Sequence, residues 1–207
     1  MEKELAKHLL EIGAVKLNPE TPFTWASGWK SPIYCDNRQT LAYPKIRKKI
    51  TMGLFTLVCN FFPGITAVAG VATGGIPHAA WLAEKMGLPL LYVRSEKKAH
   101  GTGNLIEGKL EEDSRVLLVE DLVSTGNSAV QAVKALRDAG ATVVGIVSIF
   151  SYGFDAAQKN METNEIKLAS ITDYETLLEV AVETKVINKS QLKTLELWRK
   201  NPDKWGV

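Results

Sequence analysis

The residues best suited to chemistry stand together between a predicted strand and a predicted helix. The apolar run 116–119 is typical of a strand buried on both faces, and Glu120 and Asp121 follow it directly. A small polar loop comes next, made of Ser124, Thr125, Gly126, Asn127 and Ser128. Because a helix N-terminus has unpaired N–H donors and a positive dipole end, it favours a phosphate. The carboxylates would repel that phosphate, so they indicate ribose hydroxyls or a divalent cation as their own partners.

A second junction of the same kind precedes it in the chain. Thr73, Gly74 and Gly75 separate a predicted strand at 65–69 from a predicted helix at 76–86. From the residues alone this is either a second anion site or a tight connection that needs glycine for its backbone angles. The first loop has a simple alternative too, in which Ser or Asn merely caps an ordinary helix. The acid pair in front of that loop favours the binding interpretation.

The segment 94–113 is too long for an ordinary connection in a compact domain. It is rich in charge, poor in apolar residues, and has glycines at 101, 103 and 108. Loops beyond about 12–15 residues are usually functional or disordered. Its basic residues, Arg94, Lys97, Lys98 and His100, cluster at one end. We expect a mobile lid that carries positive charge onto an anion, with a solvated charge run as the alternative.

The remaining pattern indicates the framework that must hold these groups. Helical spacing predicts helices at 3–12 and 44–61, and apolar runs predict further strands at 88–93 and 142–150. Alternation of strand and helix predicts an α/β fold with a mostly parallel sheet flanked by helices on both faces. Ligands bind outside the carboxyl ends of such strands, so both loops and the acids should share one rim. Aromatic residues between 23 and 34 either pack as a small hood or offer flat faces to a planar ligand.

Composition restricts the class of protein. The 207 residues suit one domain, and 25 Lys and Arg against 23 Asp and Glu give a net charge of +2, which argues against a nucleic-acid partner. No apolar run approaches about 20 residues, so neither a signal peptide nor a membrane span is expected. Cys35 and Cys59 form no Cys-x-x-Cys motif and are interpreted as core thiols of a reduced, cytoplasmic protein.

These motifs resemble those of a known family. The stretch VLLVEDLVSTGNS resembles the phosphoribosyl diphosphate motif of the type I phosphoribosyltransferases. Within that family, RSEKKAHGTGN is similar to the mobile loop of the orotate phosphoribosyltransferases, and PFTWASGWKSPIYCDNR to their N-terminal hood. The resemblance covers essentially the whole chain. It implies one phosphoribosyltransferase domain over 1–207, with 1–43 as N-terminal helix and hood and 94–113 as the mobile catalytic loop.

The resemblance also implies a reaction and roles for residues. Phosphoribosyl would pass from phosphoribosyl diphosphate to orotate, giving orotidine monophosphate and diphosphate. Glu120 and Asp121 would hold the ribose hydroxyls, and the diphosphate would meet Thr73 and Gly74. The 5-phosphate would be wrapped by Leu122, Val123, Ser124, Thr125, Gly126, Asn127 and Ser128. Mg²⁺ is expected as cofactor, held mainly by the substrate.

Catalysis and base recognition are assigned in the same way. Arg94, Lys98 and His100 would stabilise the leaving diphosphate, reaching it from the neighbouring subunit of a homodimer. Ser124, Lys30 and Tyr34 would lie against orotate.

The sequence departs from well-known bacterial orotate enzymes at Ala26, Gly74 and Ser95, each in place of Lys. Tyr152 stands near the position of an Arg that binds the orotate carboxylate. Three alternatives are a phosphoribosyltransferase for uracil or a purine, a non-catalytic regulator that binds phosphoribosyl diphosphate, and a flavodoxin-like binding fold. The last accounts for the loop but not for the acid pair or the lid.

Overall fold

The N-terminal segment forms a helix and two small antiparallel sheets. The computed structural model describes residues 1–25, 27–96 and 105–205. The elements of this segment are α1 (Glu2–Glu11), β1 (Val15–Leu17), β2 (Phe23–Thr24), β3 (Lys30–Ser31) and β4 (Ile33–Cys35). Strand β1 pairs with β4 and β2 pairs with β3, and a 3-10 helix, Asn37–Ala42, leads into the main body.

A six-stranded sheet forms the centre of the protein. Its strands are β5 (Ala67–Val71), β6 (Leu90–Val93), β7 (Ile106–Glu107), β8 (Arg115–Val123), β9 (Thr142–Ser151) and β10 (Leu168–Asp173). Their spatial order is β10-β9-β8-β5-β6-β7, and every neighbouring pair is parallel except β6 with β7. The predicted mostly parallel α/β sheet is therefore confirmed.

Helices cover both faces of this sheet. They are α2 (Pro44–Phe61), α3 (Gly75–Met86), α4 (Asn127–Asp138), α5 (Asp155–Thr163), α6 (Tyr174–Glu183) and α7 (Lys189–Lys200). One core joins the sheet to α1, α2, α3, α6 and α7, and the other joins it to α4 and α5. Leu117 and Val119 point into the first core and Val116 and Leu118 into the second, as expected for a strand buried on both faces.

Strand β8 is longer than the apolar run predicts, and this changes where the acids lie. Glu120 and Asp121 are inside the strand rather than after it, because β9 continues to pair with β8 as far as Val123. Strand β5 likewise begins two residues later than predicted. The loop predicted for 94–113 contains β7, which pairs with β6 and forms the edge of the sheet, so part of that segment belongs to the sheet. Cys59, expected in the core, is exposed on α2.

An aromatic cluster fastens the hood to the sheet. Trp198 of α7 is fully buried, and its ring lies 5.6 Å from that of Trp25 and 5.9 Å from that of Tyr152. The Trp198 indole N–H donates to the backbone oxygen of Lys30 at 3.1 Å, and the Trp25 indole N–H donates to that of Ile33 at 3.0 Å. The hood is therefore held by packing and hydrogen bonds. None of the helices in the described ranges has the length and apolar character needed to span a membrane.

Candidate active site

The two acids at the end of β8 point to opposite faces of the sheet. Glu120 is 5% exposed, and the Ser128 hydroxyl at the start of α4 donates to its Oε2 at 3.4 Å. Asp121 faces α3 and lies against Gly74, where an added Cβ would be 2.2 Å from the Asp121 Oδ2 atom. One carboxylate therefore touches the first predicted loop and the other touches the second.

Burial gives this pair an unusual protonation behaviour. Burial raises the pKa of Glu120 well above its ordinary value, and the neighbouring Asp121 charge raises it further. Burial also raises the pKa of Asp121, although hydrogen bonding to Glu120 and the positive charge of Arg38 act in the opposite direction. Two adjacent carboxylates cannot both ionise cheaply in a low dielectric. The protonated form of Glu120 is therefore favoured until a cation or hydroxyl donors approach the pair.

The start of α4 is open for an anion. Gly126 is the N-cap residue with φ of +79°, and among the described residues no side chain caps this helix. The simpler interpretation, with Ser or Asn as cap, is therefore wrong. The side-chain amide of Asn160 on α5 donates to the Thr125 backbone oxygen and to Asn127 Oδ1, each at 2.8 Å. These bonds hold the loop in shape, and the first N–H groups of α4 have no partner within the helix.

The second loop lies beside the first on the same rim. Helix α3 begins at Gly75, where an added Cβ would be 2.3 Å from the Val119 backbone oxygen. Only glycine lets the helix approach β8 this closely. Gly74 is the N-cap, and no side chain in the described part of the chain caps α3. Thr73 is exposed at the tip of this loop. Both loops and both acids thus share one rim.

Of the predicted catalytic residues, only Arg94 lies within the described residues. It lines a cavity of about 280 Å³ together with Ser128 and the end of β5. Its guanidinium lies 3.5 Å from Glu107 Oε1, so β7 orients it. Lys98 and His100 fall outside the described residues, as does Ala26.

The residues predicted to contact orotate differ in their exposure to solvent and in the hydrogen bonds they already make. Tyr34 is 40% exposed, and its ring centre lies 5.7 Å from that of Phe23. The Lys30 ammonium donates to the Thr24 hydroxyl at 2.8 Å, within the β2–β3 hairpin. Ser124 is half-buried at the end of β8. Tyr152 is 1% exposed and stacks on Phe154, so it belongs to the aromatic cluster rather than to the site.

Two asparagines that the sequence did not single out hold the backbone of the site in place by hydrogen bonds. The amide of Asn37 donates to the Asp121 backbone oxygen at 2.6 Å, and Asn37 is only 1% exposed. Asn160 holds the Thr125 loop as described above. Asn37 lies near the end of the hood motif PFTWASGWKSPIYCDNR, so its polar character was a weak signal. Asn160 is 33 residues beyond Asn127, and nothing local in the sequence points to it.

The acid pair suits a hard divalent cation only in part. Mg²⁺ prefers oxygen ligands and usually keeps several from water or substrate phosphates. Glu120 and Asp121 supply such oxygens. Within the ranges that the structure describes, no group of three or more His, Cys, Asp or Glu could hold a metal ion. The two carboxylates therefore fit Mg²⁺ as a partial set of its ligands.

Together the parallel sheet, the acid pair and the two uncapped helix starts define the class of protein, a phosphoribosyltransferase. Residues 39–182 match the family model described as "Phosphoribosyl transferase domain". The chain is 54% identical over 202 residues to an orotate phosphoribosyltransferase of Bacillus cereus strain B4264, covering 98% of this chain and 96% of that one. It belongs to the orotate phosphoribosyltransferase family.

Solved structures of similar proteins support the same family assignment. An orotate phosphoribosyltransferase from Aeropyrum pernix has a TM-score of 0.77 at 33% identity, with 89% of this chain and 99% of that chain covered. UMP synthase from Leishmania donovani has a TM-score of 0.80 at 30% identity, with 95% of this chain covered. This chain spans 42% of that longer protein.

Proposed function

We propose that this enzyme transfers phosphoribosyl from phosphoribosyl diphosphate to orotate, giving orotidine 5'-monophosphate and diphosphate in pyrimidine biosynthesis. The observation that carries the proposal is the contact of the buried acid pair with both loops on one rim. A ligand with a phosphate, ribose hydroxyls and a diphosphate matches this arrangement. The 54% identity to an orotate phosphoribosyltransferase supports orotate as the base.

The substrate would be bound by charge complementarity along the rim. The 5-phosphate would accept hydrogen bonds from the loop at 122–128 and the start of α4, where the helix dipole is positive. The ribose hydroxyls would donate to Glu120 and Asp121, and Glu120 would release its proton on binding. The diphosphate would lie at Thr73 and Gly74. When bound, Mg²⁺ supplies positive charge that neutralises the diphosphate.

The reaction breaks the bond between the anomeric carbon and the diphosphate oxygen, forms one between that carbon and N1 of orotate, and releases the N1 proton to solvent. The sugar becomes cationic as the leaving group gains charge. Arg94, Lys98 and His100 would stabilise that negative charge in the transition state. Closure of the 94–113 loop would keep water from the sugar, because water would otherwise compete with orotate.

A homodimer that shares the loop between subunits is part of the proposal, as is a cytoplasmic location. The outer face of α2 and α3 supports the dimer, because it forms a groove of about 410 Å³ lined by apolar and basic residues. Met52 is 45% exposed there, and the Arg47 guanidinium lies 4.9 Å from the centre of the Trp81 ring. In light scattering, Met52→Glu should halve the measured mass of the particle from dimer to monomer, whereas Leu197→Glu on α7 should leave the dimer mass unchanged. Equal masses for both variants would contradict this interface.

The test of function is direct. The protein would be incubated with Mg²⁺, phosphoribosyl diphosphate and either orotate, uracil, adenine or hypoxanthine, and nucleotide product would be measured. We expect product with orotate. Turnover of another base without orotate would assign the enzyme to that base, and binding of phosphoribosyl diphosphate without any turnover would indicate a regulator.

The catalytic loop can be tested separately. Lys98→Ala should lower kcat far more than it weakens orotate binding, because the ammonium acts on the leaving group. Lys159→Ala, an exposed lysine on α5, is the matched control. Equal losses of kcat and of orotate affinity would contradict the role of Lys98.

A further inference from the structure

Arg38 is held in place by a single neighbouring carboxylate. Asp36 is the N-cap of the 3-10 helix, and its Oδ1 accepts from the Arg38 backbone N–H at 3.2 Å. The same oxygen accepts from the Arg38 Nε at 2.6 Å. Backbone and side chain are thus both fixed, which reduces the entropy lost when the guanidinium binds a ligand.

The hydrogen bond of Asn37 ties the segment that carries this arginine to the backbone of Asp121. Asn37 immediately precedes Arg38, and its buried amide donates to the Asp121 backbone oxygen at 2.6 Å. The two groups also influence each other electrostatically. Asp36 is the main group that raises the pKa of Arg38, and Tyr34 and Asp121 add to it. Tyr34 is the aromatic residue of the hood predicted to contact the base.

The outer edge of the guanidinium is available for a ligand. Its Nε is used by Asp36, but Nη1 and Nη2 donate no hydrogen bond to any residue the structure describes. The side chain is 60% exposed. Nη1 and Nη2 form two parallel donors, the geometry that binds a carboxylate in a bidentate manner. The other candidate cation of the hood, Lys30, already donates to Thr24, and Tyr152 is buried and uncharged.

The chemistry of the base explains why a cation is needed here. In orotate the carboxylate is on the ring carbon next to N1, and N1 attacks the anomeric carbon. Since Glu120 and Asp121 would hold the hydroxyls of that sugar, the carboxylate must come close to the acid pair. A carboxylate beside two acids is repelled unless a positive charge faces it. Uracil and purines carry no such group.

We propose that Arg38 binds the orotate carboxylate and thereby determines base specificity. The proposal rests on the orotate transfer proposed above. Arg38→Gln removes the positive charge from an exposed position and should leave the fold intact.

The test compares orotate with its uncharged carboxamide. Arg38→Gln should lower kcat/KM for orotate about 10- to 100-fold, the usual range for a charge-assisted bidentate contact. The same variant should change the affinity for phosphoribosyl diphosphate by less than threefold. Its affinity for the carboxamide should also change by less than threefold. Arg38→Lys should recover part of the loss. Arg115→Gln, the same change at an exposed arginine at the opposite end of β8, is the matched control.

Two results would overturn the role of Arg38. One is an equal loss with orotate and with the carboxamide, which would indicate a general change in the hood. The other is a selective orotate loss in Lys30→Gln with none in Arg38→Gln. Failure of the proposed function is distinguishable, because the unmodified protein would then produce no nucleotide from orotate.

Discussion

Replacing Gly74 with alanine tests whether the two loops act through one carboxylate. Gly74 has φ of −68° and ψ of −32°, which any residue adopts, so the backbone accepts alanine. The added Cβ would lie 2.2, 2.3 and 2.5 Å from Oδ2, Cγ and Oδ1 of Asp121. These are the three nearest atoms, and all belong to one side chain. The Asp121 carboxylate must therefore move by more than 1 Å.

The cost should appear in substrate binding rather than in folding. Overpacking costs about 1–3 kcal/mol, and a side chain at a rim relieves it by turning away. Asp121 would then leave the position proposed to hold a ribose hydroxyl. We expect the Kd for phosphoribosyl diphosphate with Mg²⁺ to rise roughly 5- to 150-fold. The free energy of unfolding should change by less than about 1 kcal/mol.

Calorimetric titration and urea denaturation measure the two quantities. Gly140→Ala is the matched control: nothing lies within 4 Å of its Cβ, but its φ is +92°, so it should lose stability and keep its affinity. A double-mutant cycle with Asp121→Ala decides the mechanism. If Gly74→Ala weakens binding equally when Asp121 is absent, the loss does not act through the carboxylate and the reasoning is refuted.

Three further predictions concern protonation and loop support. The pKa of Glu120 is raised above its ordinary 4.5, so the folded protein is destabilised by ionising it as pH rises. Glu120→Gln should therefore raise the free energy of unfolding at pH 8, measured by urea denaturation. The same change should weaken the binding of phosphoribosyl diphosphate. Unchanged stability would contradict a raised pKa for Glu120. Burial lowers the pKa of His78 from 6.5 to about 4, so protons bind the unfolded chain preferentially between these values. Between pH 6.5 and pH 4 the unmodified protein should lose about 3 kcal/mol more stability than His78→Phe, and parallel pH profiles would refute this. Asn160→Ala removes the hydrogen bonds from the Asn160 amide to Thr125 and Asn127, so it should raise the KM for phosphoribosyl diphosphate about threefold to tenfold. An unchanged KM would mean that the loop at 124–128 keeps its shape without Asn160.

The acid pair shows which features of the site the local sequence pattern predicts and which it does not. Val116, Leu118 and their neighbours predict a buried strand because a continuous apolar run needs cover on both faces. They do not predict that the strand continues through Glu120 and Asp121, since that continuation depends on pairing with β9. As a result, the sequence predicted that the acids follow directly after the strand, whereas they lie within it and the alternation of the strand directs them to opposite faces.

The sequence by itself determined the alternation of strands and helices, the acid pair, the glycine-containing loops and the family resemblance. These features depend on residue type and on spacing along the chain. Only the tertiary structure decided that Asn37 and Asn160 support the site, that Tyr152 belongs to an aromatic cluster, and that Arg38 stands beside Asp121. These arrangements depend on contacts between residues far apart in the chain: Asn37 and Asp121 are 84 positions apart, Asn160 and Asn127 are 33 apart, and Tyr152 packs on Trp25. Local periodicity carries no information about such contacts, because chain folding alone brings those residues together.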